Sequence, residues 1–123
     1  MVVIVSGLLG GGITNTNFVV RDRGERFVVR IGDDIPVHGV MRFNEIAAAR
    51  AAHAAGISPE VVYSAEGVFV MRFIEGRTLT EQDICKPNYL ERILLLLRAC
   101  HNEIPKYFKG PALVFWPFHV CRN

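Results

Sequence analysis

"GLLGGGITNTNFVVRDRGERFVVRIG", running from Gly7 to Gly32, is the stretch whose reading decides the fold. Gly10, Gly11 and Gly12 separate an apolar run from an alternating one. β-Branched Val2–Val5 leads into the glycines and Phe18–Arg21 leads out, so the loop joins one strand to another. A short turn at Asp22–Glu25, where Gly24 supplies a permissive backbone, then sends the chain into a third strand, Arg26–Ile31. The opening reads as three antiparallel strands in a meander.

A glycine loop that turns a strand into a helix would be a Rossmann or Walker arrangement. This one turns a strand into a strand, and no lysine follows at the Walker spacing. Two readings remain: an ordinary hairpin turn, or a glycine-rich hairpin lid of the kind that covers nucleotide phosphates in kinases. Glycines let backbone N–H groups approach anionic oxygens, and Thr14, Asn15 and Thr16 add side-chain donors.

Downstream of the polar loop Asp33–Gly39, "VMRFNEIAAARAAHAAG" (Val40–Gly56) is dense in alanine, lacks internal Gly or Pro, and stops at a C′-type glycine. "PEVVYSAEGVFVMRFIEG" gives a second hairpin around an Ala65–Gly67 turn, with Gly76 closing its last strand. A second helix starts near Pro87 and runs to about Glu103, with Ile93, Leu94, Leu97, Cys100 and His101 as its expected buried stripe. The order is βββ-α-ββ-α, and the apolar, aromatic tail Pro111–Asn123 follows. That tail needs a covering surface, either another subunit or a further part of a longer protein.

The totals fit one small domain: 123 residues, 13.8 kDa, half of them hydrophobic. A net charge of +2, with the charges interspersed, gives no nucleic-acid or membrane footprint. Cys85, Cys100 and Cys121 form no CxxC pair, which argues for reduced thiols in a cytoplasmic protein rather than a zinc site. "MVVIVSGLLGGG" lacks the basic start and cleavage site of a signal peptide and reads as the first strand. Ile93–Leu97 is too short to span a bilayer.

Two residues carry the phosphate reading further. Arg30 sits late on the third strand, held among apolar neighbours in "FVVRIG". Glu45 lies in the alanine helix with Ala48, Ala49 and Ala52 on its own face, where small residues let the helix come close enough to bring Glu45 to Arg30. A strand cation oriented by a helix carboxylate is how protein kinases hold α- and β-phosphates. The competing reading makes Arg30 a surface charge and pairs Glu45 locally with Arg42. His53 and His101 are read as packed helix residues and the side chains of Arg72 and Arg77 as touching solvent only. Glu81–Asp83 reads as a solvated helix start. Phe115, Trp116 and Phe118 read as a docking patch, or else as an aromatic cage for a quaternary ammonium.

With these residues in place, the sequence resembles the N-terminal lobe of the choline/ethanolamine kinase family, within the aminoglycoside-phosphotransferase-like group of small-molecule kinases. "GGITNTNF" (Gly11–Phe18) resembles the family's nucleotide loop, and "FVVRIG" (Phe27–Gly32) its third strand, where choline kinases carry arginine in place of lysine. "NEIAAARAA" (Asn44–Ala52) resembles the helix with the paired glutamate. "VMRFIEGRTLT" (Val70–Thr80) resembles the strand-to-hinge segment. The likeness spans roughly residues 3–105.

The resemblance implies an α+β, protein-kinase-like N-terminal lobe: a five-stranded antiparallel sheet with one packed helix, then a second helix and the apolar tail. It implies a nucleotide-binding lobe at 1–76, with a hinge, a helix and the start of a second lobe at 77–123. ATP would be held by Gly11, Gly12, Thr14, Asn15, Arg30 and Glu45, with the backbone from Arg72 through Phe73 to Ile74 meeting the adenine edge. The family's H-x-D-x-x-x-x-N catalytic loop and its acidic magnesium motif do not occur in the sequence. The implied base, Mg²⁺ site and pocket for choline or a similar amino alcohol therefore belong to a missing second lobe, and this chain alone is expected to be inactive. Aminoglycoside, thiamine, homoserine and fructosamine kinases share the lobe. The alternative is a non-catalytic kinase-like interaction or dimerisation module, forming a homo-oligomer through the tail.

Overall fold

A computed structural model describes residues 4–9, 16–34 and 42–111. Five strands, β1 (Ile4–Leu9), β2 (Thr16–Asp22), β3 (Glu25–Ile31), β4 (Val61–Ala65) and β5 (Val68–Arg72), form one sheet in the order β1-β2-β3-β5-β4. Every neighbouring pair is antiparallel. Because β1 and β2 are such neighbours, the glycine segment between them links strand to strand, as read from the sequence.

The β2–β3 hairpin is set by its turn. Arg23 (φ 51°) and Gly24 (φ 81°) both have left-handed backbones, the conformation whose twist matches the flanking strands. Pairing then runs without a slip from Asp22↔Glu25 to Thr16↔Ile31 and puts Asn17 directly opposite Arg30. With side chains alternating between faces, Asn17, Val19, Val28, Arg30, Phe69 and Met71 share one face. Val20, Phe27, Val29 and Val70 share the other. Phe69 is the most buried side chain of the first face and Val20 of the second.

Helix α1 (Arg42–Ala54) lies against the Phe69 face, where Arg30, Glu45, Ile46 and Phe69 line one small crevice. Ala51 is 1% exposed, and α1 is contacted by α4 (Ile104–Tyr107) and by β4. The helix ends as its sequence requires. Gly56 takes φ 80°, its amide donates to the His53 carbonyl, and the Ile57 amide reaches back to Ala52. This is the Schellman arrangement, which satisfies carbonyls left open by the last turn.

Several expectations are corrected. The first strand, described over Ile4–Leu9, runs on past Val5 to Leu9, Val2 and Val3 lying outside the described residues, and the last strand ends at Arg72 rather than Gly76. Residues 73–80 run without helix or strand to a short helix, α2 (Glu81–Ile84). α3 (Pro87–Asn102) starts at its proline as expected, yet buries none of its residues. Leu94, Leu97 and His101 are exposed, while Ile93 and Cys100 are only half-buried. The stripe has the spacing of a core face, but no described element covers it. His53 is exposed too, its ring Nδ1 lying 3.1 Å from the Ser58 carbonyl.

Candidate functional site

Arg30 is the centre of the candidate site. Its Nη1 donates to Glu45 Oε1 at 2.7 Å, across from β3 to α1. Its Nε donates to Asn17 Oδ1 at 2.9 Å, across to β2. The guanidinium carbon also lies 5.4 Å from the centre of the Phe69 ring. The side chain keeps 31% of its surface exposed, so the cation is anchored but still reachable.

The local reading of Glu45 holds as well, and the two do not compete. Arg42 Nη1 donates to Glu45 Oε2 at 2.6 Å, so each carboxylate oxygen serves one arginine. Arg42 is buried and tied at two further points. Its Nε donates to the Asp33 carbonyl (2.9 Å), and its amide donates to Asp34 Oδ1 (2.6 Å). The chain of contacts therefore fixes Glu45 through Oε2 while its Oε1 faces Arg30 on the sheet. A side chain held this way is preorganised, which is what anion recognition needs.

Gly11, Gly12, Thr14 and Asn15 lie outside the described residues, as does the tail beyond residue 111. The segment from Arg72 to Ile74 is described. The Arg72 amide donates to the Glu60 carbonyl and the Phe73 amide to the Arg26 carbonyl, both within about 3.1 Å. Arg26 also stacks over the Phe73 ring at 4.3 Å and pairs with Glu75. Ile74 is 61% exposed. Arg72 does not face solvent alone, since it bonds Glu60 (2.9 Å) and Glu25 (2.8 Å). The Arg72 guanidinium, through that hydrogen bond, draws the Glu60 carboxyl below its ordinary pKa.

Asp83 is the other correction. It is 6% exposed rather than solvated. Arg77 grips it with two nitrogens at 2.5 and 3.1 Å, and Thr80 completes a capping box with it at the start of α2. The Arg77 guanidinium, then the Thr80 amide, hold the Asp83 carboxyl well below the usual range. Residues 77–80 are thereby pinned to α2.

Sequence reading missed Asn17 as a partner and undervalued Arg42 and Asp83. Asn17 was within reach of inference, because the two-residue turn at Arg23–Gly24 fixes the register that places it beside Arg30. For a Mg²⁺ ion the described residues offer no group of three His, Cys, Asp or Glu side chains able to hold a metal. Glu45, the carboxylate bonded to Arg30, already has each oxygen engaged by an arginine.

The sheet with α1 packed on one face, and a strand arginine paired to that helix, makes a kinase-like α+β fold. The solved structure of Plasmodium vivax ethanolamine kinase resembles the chain with a TM-score of 0.69 and 19% identity, over 82% of this chain. This chain covers 27% of that one. No family model matches the sequence, and no curated protein matches it. Among the described residues no helix is long and apolar enough to cross a membrane.

Proposed function

We propose that this chain is the nucleotide-holding lobe of an ATP-dependent phosphotransferase of the choline kinase type. The complete protein would pass the γ-phosphate to a hydroxyl of choline or a similar amino alcohol. The observation that carries the reading is the 2.7 Å pair between Arg30 and Glu45, because a partly exposed cation oriented by a helix carboxylate suits the α- and β-phosphates of ATP. Val19, Val28 and Met71, on the same face, would meet the adenine ring. The Phe73 amide is already engaged with Arg26, so the hydrogen bond to the adenine edge falls to the Ile74 amide. Gly11, Gly12, Thr14 and Asn15 would cover the phosphates. The base, the metal ligands and the amino-alcohol pocket would come from a second lobe beyond the strand-to-hinge segment Val70–Thr80, and this chain alone should show no turnover.

The exposed leucines of α3 bear on the alternative, a dimerising module. Leu94, Leu95, Leu96 and Leu97 are each between 48% and 61% exposed. Four consecutive helical positions, about 100° apart, point to all sides. A flat dimer contact covers one side of a helix and would leave some of these leucines uncovered, whereas a surrounding domain can cover all four. That favours the lobe of a larger cytoplasmic kinase over the dimerising module.

Titration with Mg-ATP tests the proposal. The intact chain should bind it at least tenfold more tightly than an Arg30→Ala, Glu45→Ala double variant of equal fold. Equal affinity in the two proteins removes the clamp and the function with it.

A further inference from the structure

We infer that Asn17 is a positioning residue, which sets the plane of the Arg30 guanidinium so that its Nη2 end is presented to the phosphates. The inference rests on the nucleotide reading above and adds a residue to it. A lysine ammonium is a compact point charge that can serve an anion from many directions, but a guanidinium is a flat fork whose donors lie in one plane. One contact to Glu45 fixes where the fork sits and leaves it free to rotate about that contact. A second contact on a different nitrogen removes the rotation.

Asn17 supplies that second contact. Its Oδ1 accepts from Nε at 2.9 Å while Glu45 takes Nη1 at 2.7 Å, and among the described residues no partner takes Nη2. The amide is suited to the task because it orients the cation without neutralising it. An aspartate there would add a second negative charge beside the incoming phosphates.

The placement is built into the hairpin. Asn17 and Arg30 are direct cross-strand partners, and the register is fixed by the tight turn at the far end of the same two strands. Asn17 is also the second residue of β2, immediately after the segment that carries the glycines.

The test uses the full chain with isotope-labelled arginine and two titrants, Mg-ATP and adenosine. In the unaltered protein the Arg30 Nε–H should give a resolved, exchange-protected NMR signal. Asn17→Leu should lose that signal and weaken Mg-ATP binding about tenfold, with adenosine affinity unchanged. In an Arg30→Lys background the same change should cost nothing further, since an ammonium has no plane to set. An Nε–H that exchanges like that of a free arginine overturns the inference without any variant. So does an Asn17→Leu loss that is equal in both backgrounds or extends to adenosine. Those outcomes leave the nucleotide reading standing. Failure of the unaltered chain to bind Mg-ATP better than Arg30→Ala overturns both.

Discussion

Arg42 holds Glu45 from the side opposite Arg30: its Nη1 lies 2.6 Å from Oε2 while Oε1 serves the strand cation. Arg42 and Glu45 ride on the same helix, so the contact with Arg30 depends on α1 staying docked. Arg42 secures the docking through the Asp33 carbonyl and the Asp34 side chain, which tie the first turn of α1 to the end of β3.

Arg42→Ala should therefore destabilise the chain by about 2 kcal/mol, the value of charge-assisted hydrogen bonds lost from a buried group. Arg42→Lys should recover only part, because an ammonium cannot span Glu45 and the Asp33 carbonyl as a fork does. Urea unfolding of the three proteins measures this. If Arg42→Ala unfolds at the same midpoint as the parent, the anchoring role is refuted.

Gly56→Ala should cost about 1 kcal/mol although nothing lies within 4 Å of the added Cβ. The penalty comes from φ 80° alone. Gly76→Ala has equal space and no positive φ, so it serves as the control and should leave the melting temperature nearly unchanged. An equal loss in both variants would mean that the left-handed backbone at Gly56 is not the source of the penalty.

Much of this was legible in the sequence, and the limits have physical causes. The two hairpins, the alanine helix and its glycine stop depend on local backbone chemistry, so Gly24, Gly56 and Pro87 announce them. The approach of Glu45 to Arg30 also showed, because small residues flank the glutamate on its own face. What did not show depends on tertiary context. Leu94 and Leu97 have the spacing of a core stripe, but spacing cannot reveal whether anything covers it. Asp83 looks like a solvated helix start until Arg77 folds back onto it. Arg42 and Arg30 looked like rival partners for Glu45, since one-dimensional reading assigns a carboxylate to one cation when its two oxygens can serve two.

Leu95→Glu combined with Leu96→Glu should leave the unfolding midpoint of this chain within error and raise its solubility. Both side chains are more than half exposed here, so charge at these positions meets water rather than a core. Thermal melting and the concentration at which the protein precipitates measure the two effects. A loss of several degrees would show that the helix is covered within the chain itself.

Asp83→Asn should change how stability responds to acid. The folded state depresses the Asp83 pKa, chiefly through the Arg77 guanidinium, so the unfolded chain takes up the proton first as pH falls. The stability contributed by the Arg77–Asp83 pair is fully present above the ordinary aspartate range, near about pH 4, and drains away as pH falls below it toward the folded value. Asparagine cannot accept both Arg77 nitrogens and carries no charge. The variant should therefore unfold at lower urea than the parent near about pH 6, and the gap should narrow near about pH 3 as the parent loses what the variant never had. Glu60, also depressed, is unchanged in both proteins and cancels in the comparison. A gap that stays constant across that range would mean that Asp83 acts as a neutral cap for Thr80 and that its charge pair with Arg77 contributes nothing to stability.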